Sequence, residues 1–93
     1  MPVSEPIVIT HPVEDELNRK DVFSWPVWEK EKSVFPWVYG TEETAYFVEG
    51  KVKVTARDGT VYNIGKGDFV VFPVGLECTW EIIEPVSKRY SFT

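Results

Sequence analysis

From Gly40 onward the chain consists of short apolar runs separated by turn residues, and this pattern constrains the fold more than any other feature. Val52 and Val54 alternate with lysine and threonine, which indicates a half-buried strand. Asp58 and Gly59 follow it and supply the residues of a tight hairpin turn. The predicted strands of this part are 45–48, 51–57, 60–64, 69–72, 76–83 and 89–92. So many short strands predict an all-β barrel or sandwich.

The first third of the chain has a more mixed pattern. Residues 6–10 are apolar and β-branched and predict a short strand. Residues 13–20 have the character of a short helical turn, which needs packing to be stable. Pro26 and Pro36 bracket residues 27–35, which we interpret as an edge strand because proline is tolerated at sheet edges.

Length and charge narrow the classes of protein that this chain can belong to. Ninety-three residues predict a single domain over residues 1–93, and 43% hydrophobic residues suffice for an ordered core. The formal net charge is −5 and the basic residues are scattered. Nucleic-acid binding depends on lysine and arginine that neutralise phosphates, so we expect no nucleic-acid partner.

The sequence also carries signals about the compartment. Cys78 is the only cysteine, so no intrachain disulfide can form and no oxidising compartment is required. The first six residues lack the basic region and apolar run of a secretory signal. No apolar stretch approaches the roughly 18–20 residues of a membrane helix. We expect a soluble intracellular protein without membrane contact, in the cytoplasm or, after removal of a transit peptide, in an organelle.

Two glycine-anchored motifs identify a family. Glu43 precedes Gly50 by seven positions, and Gly67, Pro73 and Gly75 follow the spacing Gly-x5-Pro-x-Gly. These spacings resemble the ends of the two motifs of the cupin family. The resemblance implies a jelly-roll β-barrel, to which the pattern of residues 13–20 adds a short N-terminal helical turn.

The chain looks most similar to small stand-alone cupins, those grouped with ureidoglycine aminohydrolase-like and ethanolamine-utilisation proteins. Many short members of that group have no assigned activity, so the resemblance implies the fold but identifies no particular reaction. It covers roughly residues 25–83. The residues that carry it are 25–30, 37–39, 43–44, 49–52 and 84–86.

The departures from the cupin motifs concern the metal ligands. Trp37 and Tyr39 stand where the family has two histidines, and Cys78 stands where it has a third. Only Glu43 is retained, so the resemblance implies a degenerate metal site and we expect no cofactor. Glu43 and Cys78 are the remaining candidate ligands for a divalent metal. Tyr39 would need strong activation, because the reference pKa of phenol is about 10.

Alternation predicts a shared interior for these residues. Trp37 and Tyr39 lie on one face of a strand, and Cys78 and Trp80 share a face of another. The family pattern places both sets inside the barrel, where Trp37, Tyr39, Glu43, Cys78 and Trp80 form the predicted ligand-binding set. The alternative is that the aromatic residues fill the barrel and that Cys78 is a small buried hydrophobe.

Three functions of different classes remain open. The leading hypothesis is binding of a small organic molecule in an aromatic interior. The second is a hydrolase or isomerase, with or without a metal, that uses Glu43 and Tyr39 as acid and base. The third is an interaction module that forms a homodimer through the apolar edge at residues 7–9. Lys88 and Arg89 are interpreted as surface charges.

Overall fold

Seven strands and two short helices make up residues 6–92, the part of the chain that the computed structural model describes. Helix α1 spans Glu14–Arg19, and a single 3-10 turn spans Val22–Ser24. The structure is therefore all-β with a short N-terminal helix, as predicted. The strands are β1 (Val8–Thr10), β2 (Val27–Lys30), β3 (Ser33–Val38), β4 (Glu43–Ala56), β5 (Val61–Gly65), β6 (Phe69–Phe72) and β7 (Glu77–Phe92).

Strands β4 and β7 are by far the longest, and they pair antiparallel along most of their lengths. The first half of β4 also pairs with β6, which in turn pairs with β1. Its second half pairs with β5. The second half of β7 pairs with β2, and its first half pairs with β3. The shared long strands therefore run through two layers, β1-β6-β4-β7-β2 and β5-β4-β7-β3.

A bulge in the middle of β4 bends the sheet. The register against β7 shifts between Phe47 and Val52, and Gly50 there has a φ of 101°. A side chain at Gly50 would collide with the backbone of Pro85 on β7. The buried positions change from odd numbers, such as Ala45, to even numbers after the bulge. One strand can therefore serve both layers.

The bulge also explains where the predicted strand boundaries are wrong. Segments 45–48 and 51–57 are parts of one strand, because a bulge bends a strand without ending its pairing. Segments 76–83 and 89–92 are likewise joined within β7. Residues 27–35, interpreted as one edge strand, belong to β2 and β3, which pair with different halves of β7.

The inner faces of the two layers hold the main core, and a smaller cluster lies outside it. In the smaller cluster Leu17 and Val22 pack against Phe69, so the helical segment covers the outer side of β6. The main cluster is Ile7, Tyr39, Ala45, Phe47, Val52, Val54, Ile64, Val70, Phe72, Leu76, Cys78, Trp80, Ile82 and Val86.

No helix within residues 6–92 has the length and apolar character needed to cross a membrane. The prediction that the chain lacks a secretory signal rests mainly on residues 1–5, which lie outside the described residues.

Candidate functional site

An open cavity of about 170 Å³ lies where β2, β3 and β7 approach the start of β4. Trp37 and Phe92 line it and are about half exposed, so the cavity reaches the surface at their side. We call it the aromatic cavity. Its lining consists of seven aromatic side chains and two charged ones: Trp28, Phe35, Trp37, Tyr39, Trp80, Tyr90, Phe92, Glu43 and Lys88.

Strand register explains why these side chains meet. Phe35 of β3 lies opposite Trp80 of β7, and Trp28 of β2 lies opposite Lys88. Opposite residues on neighbouring strands place their side chains on the same face of the sheet. The Phe35 and Trp80 rings stack with centroids 6.0 Å apart, and Trp28 meets Trp80 edge-on at 5.8 Å. The cavity wall is therefore a continuous set of packed rings.

A buried ion pair lies among these rings. The Nζ atom of Lys88 donates a hydrogen bond of 2.5 Å to a carboxylate oxygen of Glu43, and the two residues are only 5% and 4% exposed. Glu43 is opposite Phe92 and Lys88 is opposite Phe47, so the charges meet diagonally across the strand pair. We call Glu43 and Lys88 the inner pair. Pairing is what makes burial of two charges tolerable.

Aromatic rings surround the ammonium group of Lys88. Its Nζ atom lies 4.8 Å from the ring centre of Trp80 and 4.9 Å from that of Trp28, distances typical of cation–π contacts. Phe47 and Phe72 approach it at 5.9 and 5.6 Å. Burial lowers the pKa of Lys88 below its usual value, and the Glu43 carboxylate offsets only part of this effect.

Tyr39 is almost completely buried, and its ring stacks on Phe72 with centroids 4.9 Å apart. Burial, and then the nearby charge of Glu43, raise the pKa of Tyr39 far above its usual value. The phenol therefore stays protonated at neutral pH. It can donate a hydrogen bond, but it cannot act as a base.

Cys78 lies beside the cavity and does not line it. Its Sγ atom donates a hydrogen bond to the carbonyl oxygen of Trp37 at 3.6 Å. Burial raises the pKa of Cys78 to about 11, although the Trp80 N–H favours the thiolate slightly. The thiol therefore behaves as a small apolar group. The same Trp80 N–H makes no hydrogen bond of good geometry within the described residues.

The structure brings together four of the five predicted site residues. Trp37, Tyr39, Glu43 and Trp80 line the aromatic cavity, whereas Cys78 does not. Trp37 lies at the opening, half exposed, and the other three are buried. Their role in ligand binding stays a prediction.

The interpretation of Lys88 as a surface charge is wrong, because its side chain is buried in the inner pair. Arg89 is partly buried and donates to the carbonyl oxygen of Trp25 at 3.0 Å. The signal that could have found Lys88 is alternation, since Val86, Lys88 and Tyr90 share one face of β7. The general tendency of lysine to be exposed outweighed it.

The residues around Glu43 do not fit a metal ion. Lys88 already holds the carboxylate, and its positive charge opposes binding of a cation there. The phenol of Tyr39 and the thiol of Cys78 both retain their protons at neutral pH. Within residues 6–92, no group of three or more histidine, cysteine, aspartate or glutamate side chains could hold a metal.

Comparisons with known proteins match these features to one family. The model of the EutQ-like cupin domain matches residues 17–90. A crystal structure of a DUF861 family protein from Thermotoga maritima is 49% identical, with a TM-score of 0.93 over 95% of this chain and 100% of that chain. Comparison with curated proteins gave no match.

More distant structures share the fold over part of their length. The EutQ protein of Clostridium difficile is 18% identical, with a TM-score of 0.65 over 71% of this chain and 52% of that chain. A DUF861 family protein of unknown function from Pseudomonas syringae is 25% identical, with a TM-score of 0.66. The match covers 72% of this chain and 29% of that chain.

Proposed function

This chain belongs to the EutQ-like cupin family, and from that premise we propose that it binds a small organic molecule with one ring in the aromatic cavity. One observation carries the proposal: the open cavity is lined by aromatic rings, and the ion pair of Glu43 and Lys88 forms part of its wall, where an incoming molecule can contact it. An interior used only for packing needs neither an opening nor charged groups.

The size of the cavity limits its ligand. An apolar cavity of roughly 150 Å³ is large enough to hold benzene. The aromatic cavity, at about 170 Å³, suits a molecule of similar size. Pockets for larger ligands usually measure roughly 300–1,000 Å³. The ligand is therefore a single ring with small substituents.

The chemistry of the lining favours an uncharged ligand with a hydrogen-bond acceptor. Glu43 and Lys88 are the charged residues among those that line the cavity, and their charges cancel. The Lys88 ammonium lines the cavity and has three N–H groups, one of which donates to Glu43, so an acceptor on the ligand can bind another. The rings of Trp28 and Phe35 provide apolar surface for the rest of the molecule.

A binding screen tests this proposal. Benzyl alcohol, benzamide, phenol and benzaldehyde are added at millimolar concentration, and thermal unfolding and tryptophan fluorescence are followed. We expect at least one compound to raise the melting temperature and to quench fluorescence with saturation, because a ligand that binds only the folded state stabilises it. If none of the four does either, the proposal is wrong.

Trp37 and Val38 offer a matched pair of variants for this screen. Trp37 lines the cavity and Val38 does not, yet both are exposed neighbours on β3. We expect Trp37→Ala to weaken binding by about 2–10-fold, the range of one aromatic contact. Val38→Ala should leave the affinity unchanged. Equal affinities in all three proteins would place the ligand elsewhere.

The acid–base enzyme predicted from Glu43 and Tyr39 has weaker support. Tyr39 stays protonated and Glu43 is bound to Lys88, so neither is a free base. The metal-dependent form lacks a suitable set of donor side chains within residues 6–92. Elemental analysis of untagged protein checks this directly, and bound metal in near-stoichiometric amounts would revive the metalloenzyme.

Homodimer formation is a separate proposal, and it rests on β1. This strand pairs with β6 and with no other strand of residues 6–92, so one of its edges is free for pairing. Val8 is half exposed on it. A free apolar edge favours addition of a strand from a second copy. Light scattering tests this proposal, and a monomer at high protein concentration would refute it.

A further inference from the structure

Lys88 is the feature of the aromatic cavity that simple binding of an uncharged ring does not explain. A fully buried lysine is uncommon, and this one is accessible to a ligand because it lines the cavity. Phe47 and Phe72 contact it from the core, whereas Trp28 and Trp80 contact it and also line the cavity. Its amine therefore lies between the core and the open space.

The partner of Lys88 is suited to accept a proton. The distance from Nζ to the Glu43 carboxylate is 2.5 Å, so a proton can move along this hydrogen bond. The transfer converts an ion pair into two neutral groups and leaves the net charge of the cavity unchanged. In surroundings that solvate charge poorly, such a transfer is easier than loss of a proton to bulk water.

We propose that Lys88 is a nucleophile that forms a covalent imine with small aldehydes or ketones entering the aromatic cavity. This proposal rests on the proposed function, because the carbonyl compound must first bind. Lys88 lines the cavity together with Trp28 and Trp80, so a carbonyl compound that enters the cavity can reach its amine.

The proposed reaction balances without any further reactant. After Lys88 passes a proton to Glu43, its neutral amine attacks the carbonyl carbon, a C–N bond forms, and the oxygen takes up the proton from Glu43. The nitrogen then returns a proton to Glu43, which protonates the departing hydroxyl. Water leaves and a protonated imine remains. Ammonium plus carbonyl thus gives iminium plus water, with no oxidation or reduction.

The charges of the site stabilise both the starting state and the product of this reaction. The reaction starts with an ammonium beside the Glu43 carboxylate and ends with an iminium beside the same carboxylate. Each is a cation that Glu43 can neutralise, and Trp28 and Trp80 can stabilise it through their ring faces. No step leaves an unpaired charge in the cavity.

The surroundings also distinguish Lys88 from exposed lysines. An exposed amine with a pKa near 10.4 is unprotonated in about one molecule in 2,500 at pH 7. Burial lowers the pKa of Lys88, which increases its unprotonated fraction. Lys51 and Lys53 serve as internal references, because their side chains are exposed by 59% and 42%.

Reductive trapping with benzaldehyde tests the proposal. The protein is incubated at pH 7 with benzaldehyde and cyanoborohydride, which reduces the iminium to a stable benzyl amine, and the modified lysines are mapped by mass spectrometry. We expect one saturable adduct on Lys88, formed at least tenfold faster than on Lys51 or Lys53. Benzyl alcohol, which has the same ring but no carbonyl group, should compete with it.

Two variants identify the chemistry. Lys88→Arg keeps a cation for Glu43 but has no nucleophilic amine, so it should form no adduct at this position. Glu43→Gln keeps the amine and removes the proton acceptor, so the adduct should form more slowly. The lysine map of the unaltered protein is decisive even if a variant does not fold.

The outcomes separate this proposal from the proposed function. Binding of benzaldehyde and benzyl alcohol without an adduct on Lys88 would refute the imine and leave ligand binding intact. Equal labelling of all lysines would also refute it. Failure of the protein to bind any compound of the panel would remove the proposed function, and the imine with it.

Discussion

The same two strands, β4 and β7, carry ion pairs on both of their faces, and the two sets differ sharply. Glu43 and Lys88 form the inner pair, 4% and 5% exposed and surrounded by rings. On the opposite face three pairs lie in the solvent, which we call the outer pairs. They are Lys51 with Glu84 at 3.7 Å, Lys53 with Glu81 at 3.4 Å and Arg57, the residue directly after β4, with Glu77 at 2.7 Å.

The surroundings of an ion pair, more than its residue types, decide how it affects stability and reactivity. The attraction between two charges grows as the local dielectric constant falls, but so does the free energy needed to remove each charge from water. An exposed pair is nearly neutral for stability. A buried pair depends on both partners, and burial lowers the pKa of Lys88, which favours chemistry at its amine.

The largest expected effect comes from breaking the inner pair. Lys88→Met leaves the Glu43 carboxylate buried without a partner, and we expect the free energy of unfolding to fall by about 3–5 kcal/mol. Urea denaturation measures it. The double variant with Glu43→Gln removes both charges and should recover most of the loss. A single variant as stable as the unaltered protein would show that water reaches the inner pair.

The second-largest expected effect comes from a substitution at the bulge in β4, where the buried positions change from odd to even numbers. Gly50→Ala places a methyl group against the Pro85 backbone and strains a φ of 101°, and we expect a loss of about 2–5 kcal/mol. Gly59→Ala is the matched control, with a φ of 92° and open space around it. It should lose only about 1–2 kcal/mol. Equal losses would mean that the contact with Pro85 is unimportant.

A third effect tests whether Cys78 on the inner face is shielded from solvent. A thiol with a pKa of about 11, against a reference value of 9.0, has about 100-fold less thiolate at pH 8. We therefore expect iodoacetamide to alkylate the native protein at least ~100-fold more slowly than the urea-unfolded protein. Similar rates in the two states would contradict a buried thiol.

The raised pKa of Cys78 also predicts that the free energy of unfolding depends on pH. Below pH 9 the thiol is protonated in both states, whereas between pH 9 and 11 the unfolded chain ionises first, so Cys78 makes the free energy of unfolding fall as pH rises. Cys78→Ala should therefore lose less stability over this range than the unaltered protein does. Tyr39 and Lys88 are present in both proteins, so the difference reports on Cys78 together with its electrostatic effect on Tyr39.

The smallest expected effect comes from an outer pair. Lys53→Met makes the same substitution as Lys88→Met, on the solvent face of the same strands, and should change the free energy of unfolding by only about 0.2–1 kcal/mol. Added salt should reduce even this difference, because it screens exposed charges. A loss as large as that of Lys88→Met would remove the distinction between the two faces.

Local patterns predicted much of this molecule. The Gly67, Pro73 and Gly75 spacing led to the cupin family and its all-β fold, and both are confirmed. The period of two in β4 and β7 predicted which side chains face inward, including Trp80. These signals are readable because a turn or a strand face depends on residues only a few positions apart.

The continuity of β4 and the burial of Lys88 were not predicted, because both depend on contacts between residues that are far apart in the chain. The continuity of β4 through Gly50 depends on contact with Pro85, which no local pattern reports. Burial of Lys88 depends on a carboxylate 45 residues earlier in the chain. Without knowledge of that partner, a lysine is expected to be exposed, because an unpaired charge in the interior is too unfavourable.

The type of fold and the alternation of its strands were therefore predictable from the amino-acid sequence. The meeting of Glu43 with Lys88 inside the aromatic cavity was not, because it arises only when distant strands pair. Periodicity fixes the face to which a side chain points, but the register between strands distant in the chain, together with the bulge at Gly50, decides which opposite charge it reaches.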